Sequence, residues 1–309
     1  MKRILLTFLA LSLTITSFSQ DKNGKANKGN YNFSVAMDQA RAFGPSGVVR
    51  CASTEYNKQL QSKKQAVSDQ EFENWLAPKV AALKAKRAAN PNQTNAVITI
   101  PVVVHVIHNG DAYGTGENIR DEQVLSQIQV MNEDFRRMLG TPGYNSHPDG
   151  ADVEIEFCMA AVDPNGNPTN GIDRVNLGVA SWNQSGVEGT LKPNTSWDPN
   201  SYLNVWTARF GGDLNGVLGY AQFPSSSGLA GMPANGGAAG TDGVIMAFNA
   251  FGSSTIYPAG SYAAPYDKGR TTTHEVGHWL GLRHIWGDGA CGVDDFCADT
   301  PESDASNGG

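Results

Sequence analysis

Residues 273–288 read THEVGHWLGLRHIWGD. His274 and His278 are four apart, so on a helix they project from one face, one turn from each other. That spacing suits two nitrogen ligands of one tetrahedral zinc ion. Glu275, beside His274, can reach an attacking water without itself ligating the metal. Gly281 can take the left-handed backbone that ends a helix, which lets the chain turn back and return His284 as a third ligand. Three protein ligands leave a fourth position open, the arrangement of a catalytic zinc; a structural zinc would close that position with a fourth protein ligand. Three of the 6 histidines fall in this window. A chance HExxHxxGxxH in a chain of this composition is expected roughly once in a hundred thousand.

Upstream of this stretch, Ala96–His108 (AVITIPVVVHVIH) has the β-branched density of a core strand, with Pro101 demoting part of it to an edge or a bulge. Asp121–Leu139 follows as a helix, its Val124, Ile128, Met131 and Phe135 recurring at spacings of four, three and four. Val153–Ala160 alternates as a half-buried strand, and Tyr202–Ala208 and Asp242–Phe248 are further strands. Gly211–Gly243 holds ten glycines in 33 residues and reads as a mobile loop region. Strands followed by a closing helix indicate an α+β fold. His105 and His108 read as packing or surface residues, His147 as solvated, and Trp279 and Leu280 as core.

The chain opens with Met1–Gln20, MKRILLTFLALSLTITSFSQ. Lys2 and Arg3 precede an apolar stretch of about twelve residues, too short to span a membrane, and Ser17-Phe18-Ser19 supplies a cleavage site. Residues 1–19 are therefore expected to be an export signal, and nothing after them to cross a bilayer. The whole chain has 309 residues and a net charge of −7, which removes the electrostatic case for nucleic-acid binding. Residues 20–95 carry 12 Lys and Arg against 6 Asp and Glu, and residues 96–309 carry 9 against 24. A basic leader ahead of an acidic body suggests two parts that attract each other. The leader begins without apolar periodicity, like a linker. Ser68-Asp69-Gln70-Glu71 is then a capping box, and Phe72, Trp75, Val80 and Leu83 describe a short amphipathic helix up to Arg87. Ala88–Asn92 breaks it, with Lys84, Lys86 and Arg87 as cleavage points for a protease.

Cys51 lies in this leader, in Val48-Val49-Arg50-Cys51-Ala52. A lone cysteine beside an arginine, ahead of a zinc site, suggests a cysteine switch: its thiolate would fill the open fourth position. Arg50 would then pair with a carboxylate beside the metal. A disulfide from Cys51 to Cys158, Cys291 or Cys297 and a bystander thiol are the alternatives. Beyond His284, Asp294, Asp295, Asp299, Glu302 and Asp304 crowd into eleven residues, a density of hard oxygen ligands that suits Ca²⁺; a solvated acidic loop is the alternative.

HExxHxxGxxH is the metzincin signature, and HEVGHWLGLRHIW resembles the pappalysin family of zinc endopeptidases. The resemblance extends to IPVVVHVIHN, EFCMAAVDPNGNPTNGI, YLNVWTA, LGYAQFP and CGVDDFCADTP, and so covers roughly residues 96–309. It implies His274, His278 and His284 as zinc ligands and Glu275 as general base and acid. It also implies a metzincin-type zincin fold, with a twisted sheet over the active-site helix and a smaller lower subdomain after the third histidine. Asp295, with the carbonyls of Ala298 and Thr300, is the implied calcium site. Cys291 is implied to pair beyond Gly309, with Cys291–Cys297 as the alternative. The family's methionine beneath the zinc is not found: the last of the seven methionines is Met246. Only 25 residues follow His284, so the lower subdomain is expected to be truncated. The substrate implied is an extended peptide or protein lying along a sheet edge, with basic residues favoured at the cleavage site. A non-catalytic surface protein stapled by zinc remains the other class, and it would need a fourth protein ligand.

Overall fold

A computed structural model describes residues 31–43, 47–90, 96–232, 238–289, 292–298, 300, 301 and 303. The expected signal, residues 91–95 of the expected break, Cys291, Asp299, Glu302 and the last six residues, Asp304 among them, lie outside the described residues. Tyr31–Gly309 cluster as one compact unit. Among the described residues no helix is long and apolar enough to cross a membrane.

β1 (Ile98–His108) is the axis of a six-stranded sheet. Its first half pairs in parallel with β2 (Ile155–Met159), and its second half with β3 (Ile172–Asn176). On its other side β4 (Leu203–Ala208) joins from Val102 onward, also in parallel. Pro101 therefore stands where that side of β1 is not yet paired, a position that tolerates a missing N–H. Outward from β4 come β6 (Val244–Ala247), parallel, and then β5 (Gly219–Ala221), antiparallel and at the edge.

Three expectations need correction. The helix expected over Asp121–Leu139 ends at Phe135, where its apolar spacing ends; Arg137 takes a left-handed backbone and Leu139 is exposed. The glycine-rich region is not a loop throughout. Its first half contains β5, and Leu214, Val217, Tyr220 and Phe223 are buried there, held by contacts that local sequence does not encode. The start of the leader is not a linker either. It forms α1 (Phe33–Phe43) and α2 (Ser53–Ser62), ahead of α3 (Asp69–Ala89), which carries the expected capping box. Phe72 of α3 is buried as expected, but Val80 and Leu83 are exposed, because among the described residues no apolar surface covers the second half of the helix.

The sheet is packed on both faces. On one, α4 (Asp121–Phe135) and α5 (Arg270–Trp279) lay Val124, Ile128, Met131 and Val276 against Val104, Val205 and Val244. On the other, Trp182, Leu191, Trp206, Tyr220 and Ile245 pack with Phe33, Met37, Val49, Tyr56 and Leu60 of the leader. Between these two faces the leader crosses the sheet's edge. Val49 N–H donates to Gly216 O (2.9 Å), Leu218 N–H to Val49 O (2.9 Å) and Ala52 N–H to Gly219 O (3.1 Å). This short parallel pairing runs alongside β5 and brings Cys51 to α5.

Candidate active site

His274 and His278 leave one face of α5, as their four-residue spacing dictates. Leu280 closes the helix, and Gly281 follows at φ +102°, the left-handed region that glycine favours. Leu282 N–H returns to Gly277 O at 2.9 Å, the chain reverses, and His284 arrives opposite the helix. The three Nε2 atoms stand 3.0 Å (His274–His278), 3.1 Å (His274–His284) and 3.2 Å (His278–His284) apart.

The outer ring nitrogens fix how these rings point. His278 Nδ1–H donates to Leu282 O at 2.7 Å, and His284 Nδ1–H to Asp288 Oδ1 at 2.6 Å. Both Nε2 lone pairs are thereby turned inward, the usual device by which a protein aims a metal-ligating imidazole. Burial, reinforced by the neighbouring histidines, lowers His274 to about 4 and His278 to about 3, so both rings are neutral at physiological pH. Neutral imidazoles with converging lone pairs cannot satisfy one another, whereas a cation among them satisfies all three. The donor set fits a metal ion. Asp288 completes the arrangement: burial would raise its carboxyl, but the bond to His284 holds it below the usual range.

Cys51 reaches the same point. Its Sγ and the three histidine nitrogens all lie within 4.8 Å of one another, and among the described residues this is the one grouping able to hold a metal ion. Cys51 is a free thiol, so the disulfide alternative is not realised. Burial, then the charge of Glu275, pushes that thiol well above its ordinary pKa; a divalent cation reverses this and deprotonates a coordinating thiol outright.

Glu275 is fully buried between the metal point and the leader. Its Oε2 accepts from Ser53 Oγ at 2.6 Å and from Cys51 Sγ at 3.4 Å, while its Oε1 has no partner. Burial pushes its carboxyl up to about 7, against the opposing pull of the Ser53 and Cys51 hydrogen bonds. A carboxyl poised near neutrality suits general acid–base work.

The other residues singled out in the sequence are placed as follows. Arg50 is exposed and lies over the ring of Tyr266, 5.9 Å from its centroid, rather than on a carboxylate; the chain bends at this residue. His105 is a packing residue, with Nδ1 2.9 Å from Asp173 and Nε2 2.9 Å from Asn204, and His147 is exposed. Trp279 packs half-buried and donates to Asp242 at 2.7 Å. Asp295 is buried, but its Oδ1 accepts from Cys297 N–H at 2.9 Å, Ala298 is exposed, and Thr300 N–H donates to Cys297 O. Ser53 and Asp288 were missed by sequence reasoning. Asp288, four residues past His284, offers a spacing that could have been read; Ser53 offers no signal.

A family model described as pregnancy-associated plasma protein-A, peptidase M43, matches residues 190–308. Extracellular metalloprotease 1 of Coccidioides posadasii is 31% identical over 231 residues, covering 75% of this chain and 67% of the fungal protein. The chain belongs to the peptidase M43, or pappalysin, family. An extracellular metalloprotease of Colletotrichum graminicola is likewise 31% identical, over 73% of this chain and 68% of its own. Mature mirolysin of Tannerella forsythia, solved with a cleaved peptide, superposes at a TM-score of 0.56 with 42% identity, covering 69% of this chain and 75% of mirolysin. A promirolysin mutant superposes at 0.60 with 37% identity and covers 83% of this chain and 77% of its own. As a pappalysin-family protein this chain is a metalloendopeptidase with a metzincin fold.

Proposed function

We propose that the chain is an exported zinc endopeptidase made as a latent zymogen. Residues 1–19 are its signal, 20–95 its inhibitory leader and 96–309 its catalytic domain. The observation that carries this reading is Cys51 Sγ standing with the three histidine nitrogens. His274, His278 and His284 would hold the zinc, with the Cys51 thiolate as the fourth ligand while the leader is in place.

When bound, zinc supplies Lewis acidity toward the scissile carbonyl and makes water a nucleophile near neutral pH. Glu275 takes a proton from the attacking water and returns it to the leaving amine as the carbon–nitrogen bond breaks. An extended peptide would lie along the β5 edge, using the main-chain groups of Gly216, Leu218 and Gly219 that Val49 and Ala52 occupy in the zymogen. The net charge of −15 on residues 96–309 supports a preference for basic substrates. Extracellular location is supported by the signal-like opening and by the names of the fungal relatives. Calcium binding at Asp295, Ala298 and Thr300 is proposed with it; millimolar calcium added to the chelated protein should raise its melting temperature.

The test is Cys51→Ala in the unprocessed chain, with Lys84, Lys86 and Arg87 changed to Ala so that the leader stays attached. The zinc-loaded variant should hydrolyse peptides above its latent parent. If both are equally silent, Cys51 is not what closes the site.

A further inference from the structure

The leader touches the site at a second atom. Ser53 is fully buried, and its Oγ stands between two groups of the body: it donates to Glu275 Oε2 at 2.6 Å and accepts from Ala221 N–H at 2.8 Å. Cys51 acts toward the metal point, whereas Ser53 acts toward the general base. A hydroxyl held by a carboxylate on one side and an edge-strand N–H on the other occupies the place where that carboxylate would engage an oxygen of its own substrates. The contact is also anchored behind: Ala52 N–H is bonded to Gly219 O, and Ser53 is the first residue of α2.

We propose that Ser53 is a second, metal-independent lock, which keeps Glu275 from water while Cys51 keeps water from the zinc. The inference rests on the reading of residues 20–95 as an inhibitory leader. The two locks should therefore come apart when the metal is removed. Without zinc the Cys51 thiol retains two long contacts, to Glu275 and from Ser53 N–H, each 3.4 Å, while the bonds of the Ser53 hydroxyl are unchanged. With zinc, opening the thiol alone restores only part of the activity, because the Ser53 hydroxyl still competes for the base.

The experiment uses the full chain with Lys84, Lys86 and Arg87 replaced by Ala, as parent, Cys51→Ala, Ser53→Ala, Ser53→Thr and the Cys51→Ala/Ser53→Ala double variant. Amide hydrogen exchange across residues 48–62 is read in the chelated protein, and peptide hydrolysis in the zinc-loaded protein. In chelated protein, Ser53→Ala should speed exchange by about tenfold or more, the scale expected for a bond to a buried carboxylate. Apart from the Ser53 amide, which loses its long bond to Sγ, Cys51→Ala should leave that exchange near the parent rate, and Ser53→Thr, which keeps the hydroxyl, should exchange more slowly than Ser53→Ala. In zinc-loaded protein, the double variant should be more active than Cys51→Ala. Parent-like exchange in chelated Ser53→Ala, or equal activity of the double and single variants, overturns the second lock. A fully active zinc-loaded parent would instead overturn the zymogen reading, and the exchange measurement would still decide whether Ser53 holds the leader.

Discussion

The two halves of the leader are held in opposite ways. Between Phe33 and Phe72 its described residues are anchored in the body's core: Met37, Ala52 and Tyr56 are buried, and Tyr56 donates to Glu188 at 2.5 Å inside a cluster that includes Tyr220 and the buried Lys192. From Ala77 to Ala89 the chain is a helix exposed on every side, and its Arg87 forms a surface ion pair with Glu154 of the body at 3.0 Å. In the proposed zymogen the first half blocks the site and the second presents Lys84, Lys86 and Arg87 to a protease. A cut in the second half severs the tether without disturbing the plug, so release depends on how firmly the first half is seated.

That contrast can be broken at Tyr56. Truncating it to Ala removes a buried ring and leaves the Glu188–Lys192 pair short of a partner, so the unprocessed chain should lose about 3–5 kcal/mol by denaturant titration. A change below about 1 kcal/mol would mean that the first half is only laid on the body. Limited trypsin digestion sharpens the same comparison. Cuts within 77–90 should precede cuts at Arg41 or Lys58 by on the order of a hundredfold in rate, because the exposed helix opens locally while α1 and α2 open only with the core. Early cleavage at Arg41 would reverse the assignment.

Smaller effects mark the boundary between the halves. Ser68 N-caps α3, and Ser68→Ala should cost about 1 kcal/mol, read as faster exchange in the first turn. The hydrogen bonds from Ser68 to Glu71 hold that carboxyl below its ordinary range, so the cap is intact above the ordinary carboxylate pKa and is lost as pH falls through the lowered value. Acidification should loosen the first turn of α3, and an exchange profile flat with pH would remove this cap from the account. Leu83→Ala, in the exposed half, should change stability by no more than about 0.5 kcal/mol.

What the sequence makes legible is what local spacing encodes. The four-residue step from His274 to His278, the glycine turn at Gly281 and the Ser68–Glu71 cap are each complete within a dozen residues, and each stands where expected. β1 is legible for the same reason. β5 is not, because Gly219–Ala221 becomes a strand through β6 and its burial, and glycine composition points the other way. α2 carries only Tyr56 and Leu60 as apolar residues, and these, like Phe33 and Met37 of α1, are placed by a cluster that includes Trp206 and Tyr220, far away in the chain. Cys51 was legible as chemistry, though its seat beside the histidines depends on the pairing of Val49 with Gly216 and Leu218. Ser53 was not legible at all, since its role exists only where leader, edge strand and Glu275 meet.

The central claim is that Cys51 closes the metal site until the leader leaves. X-ray absorption at the zinc edge reads this directly in the intact, unprocessed chain. The account predicts one sulfur at about 2.3 Å with three nitrogens at about 2.0–2.1 Å, and loss of the sulfur once the leader is removed. A shell of nitrogen and oxygen alone in the unprocessed chain would contradict it.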